Sequence, residues 1–491
     1  MFHQASFPVL LVSSLALAQP ALAQSFTAKD AWDVLASFID GTGGSLTSAE
    51  LVRDGDSLIA QSARLDAGEW LTMQFDEIRL EPRGGQVAVI PSARFDVVST
   101  IGAPGERRDY VVSHDGFFML TADTNRADLE LAFGQFAVVK TAATRHGQPL
   151  DEALETSYAG LTGRMGMTLD EPYELRVDLS AAEVVQSFRL NDPTMGLEQE
   201  GQSTSGDLRL ALSVDGMREF DTNQPGWLRA AFEGGLAMRL ESSTGAGDLR
   251  LNQTVTGMRS VVGMEVESSD GSLEVEDGAF SMDIGLHGLG LDMDFMGVPV
   301  TGTMSRIRMG FEMPLVMLPE DRPFRIALDL GETRVDGPVL AMIGAQDFAG
   351  EALSAAIDLR ANGRWLVELS EDPDAADIPF DFSSFDLNRL MLGLGGSALS
   401  GEGSFNLAPG ALAAMVGDFP EGEGDFAFDL RGGNALLGRL TAAGLLPADQ
   451  QFMAQMMMNA LGQPVGEDHL RSEVTIRPGG QLTVNGMPLP F

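Results

Sequence analysis

The stretch Leu289–Met313, LGLDMDFMGVPVTGTMSRIRMGFEM, decides the fold. Leu289, Leu291, Met293 and Phe295 stand at alternate positions, as do Ile307, Met309, Phe311 and Met313. Between them lie Asp292 and Asp294 on one arm, and Arg306, Arg308 and Glu312 on the other. Side chains alternate between the two faces of a strand. The pattern therefore predicts an antiparallel hairpin with one apolar face and one face of cross-strand ion pairs. Just upstream the apolar parity changes, from Ile284 and Leu286 to Leu289 and Leu291. One inserted residue at His287-Gly288 would do this, which predicts a bulge.

The same period of two, punctuated by Gly, Asn and Asp, fills much of the chain. It predicts a mainly β protein of long antiparallel sheets, curved or sandwiched, with a few short helices. GDLRLALSVDGMR at Gly206–Arg218 returns as GDLRLNQTVTGMR at Gly247–Arg259, which reads as a repeated sheet unit; two copies are too few for a solenoid. Ala28–Ile39 is a leading helix, with Trp32, Leu35, Ala36 and Ile39 at helical spacing and Gly41 as its stop. A helix pair is expected near the C-terminus. Asn434 caps the first, which carries Leu436, Leu437 and Leu440 and ends at Gly444. Pro447 opens the second, whose stripe of Phe452, Met453, Met456, Met457 and Ala460 reads as core filling.

The closing GGQLTVNGMPLPF, Gly479–Phe491, extends this pattern. Val474 and Ile476 alternate with polar residues, Arg477-Pro478-Gly479-Gly480 suits a type II turn, and Leu482 and Val484 continue the apolar face. Asn485-Gly486 is a hairpin turn, and Pro488 and Pro490 each remove a ladder donor, as an edge allows. Polar Asn191–Gly206 and acidic Glu371–Pro379 read as linkers or long surface loops. The regions expected are 1–23, a signal peptide; 24–200, β-rich with the leading helix; 201–370, antiparallel with the repeat; and 371–491, β with two helices.

Residues 1–23 carry an apolar run, Pro8–Ala18, and the small-x-small signal Ala21-Leu22-Ala23, which predicts a mature start at Gln24 and a periplasmic location. The n-region lacks Lys and Arg, yet the run is too short for a spanning anchor, and no later stretch approaches the ~18–20 apolar residues of a transmembrane helix. The net charge of −39 argues against nucleic acid, whose binding needs Lys and Arg at the phosphates. Cysteine is absent, which excludes disulfides and thiolate metal sites, and 491 residues at 44% hydrophobic content suffice for two or three cores.

No catalytic, cofactor or metal residue emerges. His114, His146, His287 and His469 lack zinc spacing, no serine stands in a nucleophile elbow, and neither Lys29 nor Lys140 completes an S-x-x-K pair. GLGGSA, Gly393–Ala398, nearly fits a dinucleotide fingerprint but leads into a strand with glycines, not a helix N-terminus. RDGDS, Arg53–Ser57, and the acidic 371–379 segment cluster carboxylates without EF-hand spacing.

From Pro319 the order of segments becomes distinctive. LPEDRPFRIALDLGETRV leads to LSAAIDLRANGRWLVEL and FDLNRLMLGLGGSALSGEGSFNLAPG, then LTAAGLLPADQ and the closing LRSEVTIRPGGQLTVNGMPL. This resembles the envelope family catalogued as domain of unknown function 2125, secreted proteins of Gram-negative bacteria, and its glycine-spaced strands are similar to those of AsmA-like lipid-transfer proteins. The resemblance covers the C-terminal third and implies a β-rich envelope protein without an assigned catalytic residue. The expected function is non-catalytic binding of a lipid-like ligand or an envelope partner. A structural envelope module without ligand is the alternative. An outer-membrane barrel would need aromatic girdles, for which only Tyr110, Tyr158, Tyr173, Trp32, Trp70, Trp227 and Trp365 are available beside the phenylalanines. A secreted hydrolase would need a carboxylate pair, and nothing singles one out among 71 acidic residues.

Overall fold

The computed structural model describes residues 26–41, 43–68, 70–102, 104–123, 125–169, 171–193, 196–217, 226–295, 297–366, 380–408, 421–479 and 481–489. The leader, the acidic 371–379 segment, Gly480, Pro490 and Phe491 lie outside them. The protein is mainly β, its sheets antiparallel, with a few short helices that include the pair near the C-terminus. It divides into two compact units, Met1–Asp221 with Glu233–Gly263, and Thr222–Phe232 with Met264–Phe491.

The first unit is built round helix α1 (Ala28–Gly41). Thr27 and Asp30 form a reciprocal cap: the Thr27 N–H donates to the Asp30 carboxylate at 2.9 Å, and the Asp30 N–H donates to Thr27 Oγ1 at 3.2 Å. Ala31, Trp32, Val34, Leu35, Phe38 and Ile39 are buried. Around α1 run β1 (Ser57–Ala67), β2 (Leu71–Arg83), β3 (Gln86–Pro91), β4 (Arg94–Ser99), β5 (Glu106–His114) and β6 (Phe117–Ala122). Four long strands follow: β7 (Arg126–Arg145), β8 (Asp151–Thr168), β9 (Tyr173–Asp192) and β10 (Leu197–Met217). β3 and β4 both pair with β2, while β5 and β6 both pair with β7, so two short strands fill each of two positions between long ones.

That sheet curves. α1 packs on β1, β2 and β6, and its Phe38 ring meets Tyr173 of β9 edge-on at 6.4 Å. From β1 to β9 are six interstrand steps, about 29 Å at ~4.8 Å each. A helix of 14 residues is only about 21 Å long and ~10 Å wide. A flat sheet would leave it against a few strands, so the sheet wraps it. The core behind the helix is dense with Leu65, Met73, Ile78, Leu80, Leu120, Leu129, Phe136 and Met165, all nearly inaccessible.

A crease crosses this sheet. The buried positions of β7 run Ala127, Leu129, Leu131 and Phe133, then change parity to Phe136 and Val138. The neighbours change parity at the same level. Leu161 faces Phe133 and Ala159 faces Gln135, which places Gly160 opposite Gly134; Ala182 of β9 lies opposite Asp207 of β10. Gly160 and Asp207 have φ of +63° and +50°, a left-handed step that glycine accepts freely and aspartate tolerates. Each strand spends one extra residue here, register is kept, and the apolar residues stay on one side.

Several expectations change. Asn191 and Asp192 close β9 and Leu197–Gly206 is the first half of β10, so most of the polar 191–206 stretch is strand, neither linker nor long surface loop. The two repeat copies do not pair with each other. The first copy forms the far half of β10, opposite Ala237–Thr244, while the second, Gly247–Val255, lies against its near half. Each copy runs into a left-handed glycine, Gly216 at +68° and Gly257 at +84°.

Candidate functional site

The second unit lays ten strands side by side: β11 (Ser268–Glu276), β12 (Ala279–Phe295), β13 (Val298–Pro314), β14 (Arg322–Asp336), β15 (Leu353–Trp365), β16 (Phe380–Leu394), β17 (Ser397–Leu407), β18 (Gly422–Arg431), β19 (His469–Arg477) and β20 (Gln481–Val484). The opening stretch is here, as the hairpin β12–β13, with Gly297 at φ +82° in its turn. The bulge is replaced by a second crease. His287 faces Arg306 and Leu289 faces Met304 in unbroken register, so nothing is inserted relative to the partner; Gly288, at φ +60°, is matched by Ser305. β14 turns over at the same level, between Leu330 and Thr333.

Register aligns the apolar residues into rows. Met282, Phe311, Ile326, Leu359 and Leu387 lie opposite one another across β12 to β16, and the row continues through Gly403, Phe426 and Val474 to β19. The next row is Ile284, Met309, Leu328, Ile357 and Leu390. In the first unit the equivalent rows are buried. Here Ile326 is 58% exposed, Leu392 47%, Met309 45% and Leu359 40%. An apolar sheet face open to this extent is what a binding surface requires.

The other face is ionic. Arg308 holds Asp283 at 2.7 Å, Arg306 and Arg389 hold Asp329 at 2.8 and 3.1 Å, and Arg325 holds Asp358 at 2.6 Å. The hydrogen bond from Arg325 holds the Asp358 carboxyl below its usual range, against a smaller opposing effect of burial. Asp292 and Asp294 do not join these pairs; they face Thr301 and Pro299, and Asp294 accepts the Gly297 N–H at 2.7 Å. The tip of the hairpin lies too far from Arg306 and Arg308 for the pairing expected from sequence.

One end of the apolar face is aromatic. Phe324, Trp365, Phe380, Phe382 and Phe385 stack with centroid spacings of 4.9–6.3 Å, and the Trp365 indole donates to the Pro314 carbonyl at 2.8 Å. Arg322 alternates with Phe324, Ile326 and Leu328 and so belongs to the apolar side, opposite Gly363. Its Nε is buried with no hydrogen-bond partner among the described residues. Sequence reasoning passed over Arg322, although its parity with Phe324 was readable.

The helix pair adjoins the other end of the strands. Asp468 caps α2 (Gly433–Ala442) by accepting the Asn434 and Ala435 N–H groups, each at 2.9 Å, so a residue of the β19 turn does the work expected of Asn434. α3 (Ala448–Leu461) starts after Pro447 and exposes its stripe: Phe452 62%, Met453 58%, Met456 57% and Met457 59%. The core reading of that stripe is wrong. Periodicity gave the face, but α3 turns another side chain, Met458, toward Gly433 and Leu430.

No family model matches the chain, and no curated protein is significantly similar to it.

The remaining sequence features take structural places. Gly395 and Gly396 of GLGGSA have φ of +59° and +82°, the two left-handed positions of a type I′ turn joining β16 to β17. Asn485 and Gly486, at +51° and +77°, make another. His287 pairs with Asp270 and His469 with Asp429, each at 2.7 Å; His146 sits at φ +50° in a turn; His114 lies in the first unit beside Phe95 and Phe133. The first unit also contains a buried ionic network in which Arg108 bridges Glu106 at 2.6 Å and Glu152 at 3.2 Å, with Lys140 on Glu152 at 2.9 Å.

Proposed function

We propose that this is a non-catalytic envelope protein of the periplasm whose second unit holds an acyl chain against the apolar face of β12–β19. One observation carries the reading: an apolar face on which Ile326, Met309 and Leu359 stay 40–58% exposed beside half-buried neighbours, backed by a face of ion pairs. Eight strands at ~4.8 Å give it a width of about 34 Å. That is about twice the ~15 Å thickness of one bilayer leaflet, so a lipid tail has room to lie across it. Burying large aliphatic side chains yields about 25 cal/mol per Å² of apolar area removed from water, which favours an apolar ligand over open solvent. The resemblance read from the segment order after Pro319 fits this reading, although no family model matches it, and the leader-like N-terminus fits the location.

Protein purified from the periplasm and extracted with organic solvent is expected to release lipid near one-to-one stoichiometry, detected by mass spectrometry. The Ile326→Asp/Leu359→Asp double variant places two charges in the middle row and is expected to lose that lipid while keeping its fold by circular dichroism. Lipid-free wild-type protein would count decisively against the proposal. A protein partner is a second reading, favoured by the exposed α3 stripe. In that case cross-linking in cells depends on Met453 and Met457, and lipid content does not.

A further inference from the structure

We propose that Arg322 is the head-group site of this surface, so that the bound amphiphile carries a carboxylate or phosphate at the aromatic end. The inference rests on the acyl-chain reading above and goes on to name the ligand's polar group.

Arg322 differs from the other arginines around it. Arg306, Arg308, Arg325, Arg364 and Arg389 project from the ionic face, and each holds an aspartate. Arg322 lies on the apolar face in register with Gly363, and no carboxylate of the described residues pairs with it. Exposed Arg360, opposite Arg325, also holds no ion pair among the described residues, but it lies in water; Arg322 is set apart by its place on the apolar face with a buried, unbonded Nε. A guanidinium with a buried, unbonded Nε pays for desolvation without return, unless an anion arrives from outside.

The surroundings suit such an anion. Gly363 places no side chain between Arg322 and Phe382, which faces that glycine from β16. Trp365, anchored through its indole N–H, and Phe324 flank the same end. The planar guanidinium can then grip two oxygens of a carboxylate or phosphate while the tail runs along Ile326, Leu328 and the rows beyond. The negative surface as a whole repels anions, which leaves this position as the local exception.

The test compares cis-parinaric acid with its methyl ester, two fluorescent probes that differ only in the charged head. The full chain is expected to bind the acid about tenfold or more tightly than the ester. Arg322→Gln should lose that preference, weakening the acid about tenfold or more while leaving the ester unchanged, and Arg322→Lys should retain part of it. Competition by oleate and by lysophosphatidic acid separates carboxylate from phosphate. Equal weakening of both probes would mean that Arg322 only supports the fold. Equal wild-type affinity for both, unaffected by Arg322→Gln, would mean that the guanidinium is neutralised from within the chain. Either result overturns the head-group site but leaves the apolar surface standing. Failure of the wild-type protein to bind either probe overturns the acyl-chain reading and this one with it.

Discussion

His114 sits between Phe95 and Phe133, with ring centroids 6.0 and 5.2 Å away, and its Nδ1 lies 3.1 Å from the Gly116 carbonyl oxygen. Burial pushes the imidazole below its ordinary value, outweighing the backbone carbonyls and Asp115 that favour the charged form. A folded pKa below the unfolded one leaves stability untouched above about pH 6.5. As pH falls below that value the unfolded chain takes up the proton first, and stability drops. Thermal unfolding of the first unit should therefore weaken between pH 7.5 and pH 5.5, and His114→Gln should flatten that fall; an equal slope in the variant would refute the assignment. The ionic network allows a second prediction. Glu152→Gln leaves the Lys140 amine, 5% exposed, without its carboxylate, and removing one partner of a buried pair costs about 3 kcal/mol or more. Urea-dependent hydrogen exchange of β7 reads that loss, and Lys140→Met in the same chain should recover much of it.

Exposure separates elements that sequence alone treats alike. Serine at Met456 and Met457 together should shift the thermal midpoint little, because those side chains are already in water, whereas Leu35→Ala in α1 empties a packed site and should cost about 3 kcal/mol. A large loss from the methionine pair would show that the stripe is covered. Asp468→Ala should fray α2 by about 1 kcal/mol, visible as faster exchange at Asn434 and Ala435. The alternating strands, the leading helix, the C-terminal pair and the turn at Asn485-Gly486 were legible, because alternation and left-handed residues are local signals; the turn at Gly395-Gly396 and the short helices Trp227–Glu233 and Pro338–Met342 were not read. The cap on α2 was not, since Asp468 stands 34 residues from Asn434. The creases were half legible: one strand shows its own change of parity at Gly288, but nothing in it says that Ser305 makes the matching step. For the candidate site, the apolar faces could be read, and their exposure could not, because period two reveals a face without revealing what covers it.

Across the whole molecule the charge of −39 is the largest unbalanced quantity. Its self-repulsion opposes compactness, while the exposed ion pairs return only about 0–1 kcal/mol each. Raising ionic strength from about 0.01 M to about 0.1 M shortens the screening length from ~30 Å to ~10 Å. Repulsion among so many excess charges should lose more than the pairs do, so the thermal midpoint is expected to rise with salt; a falling midpoint would show that the ion pairs dominate. The creases bear on how such a sheet can change length over generations. Deleting Gly288 alone would turn Leu289, Leu291 and Met293 onto the ionic side, since a shift of one residue inverts every side chain beyond it. Deleting Ser305 as well would still leave β14 stepping over alone between Leu330 and Thr333. Between β12 and β13 a gain or loss at the crease must therefore come as a matched pair, whereas β16 takes up Asn388 alone, as a mid-strand bulge against Asp358 and Leu359 of β15.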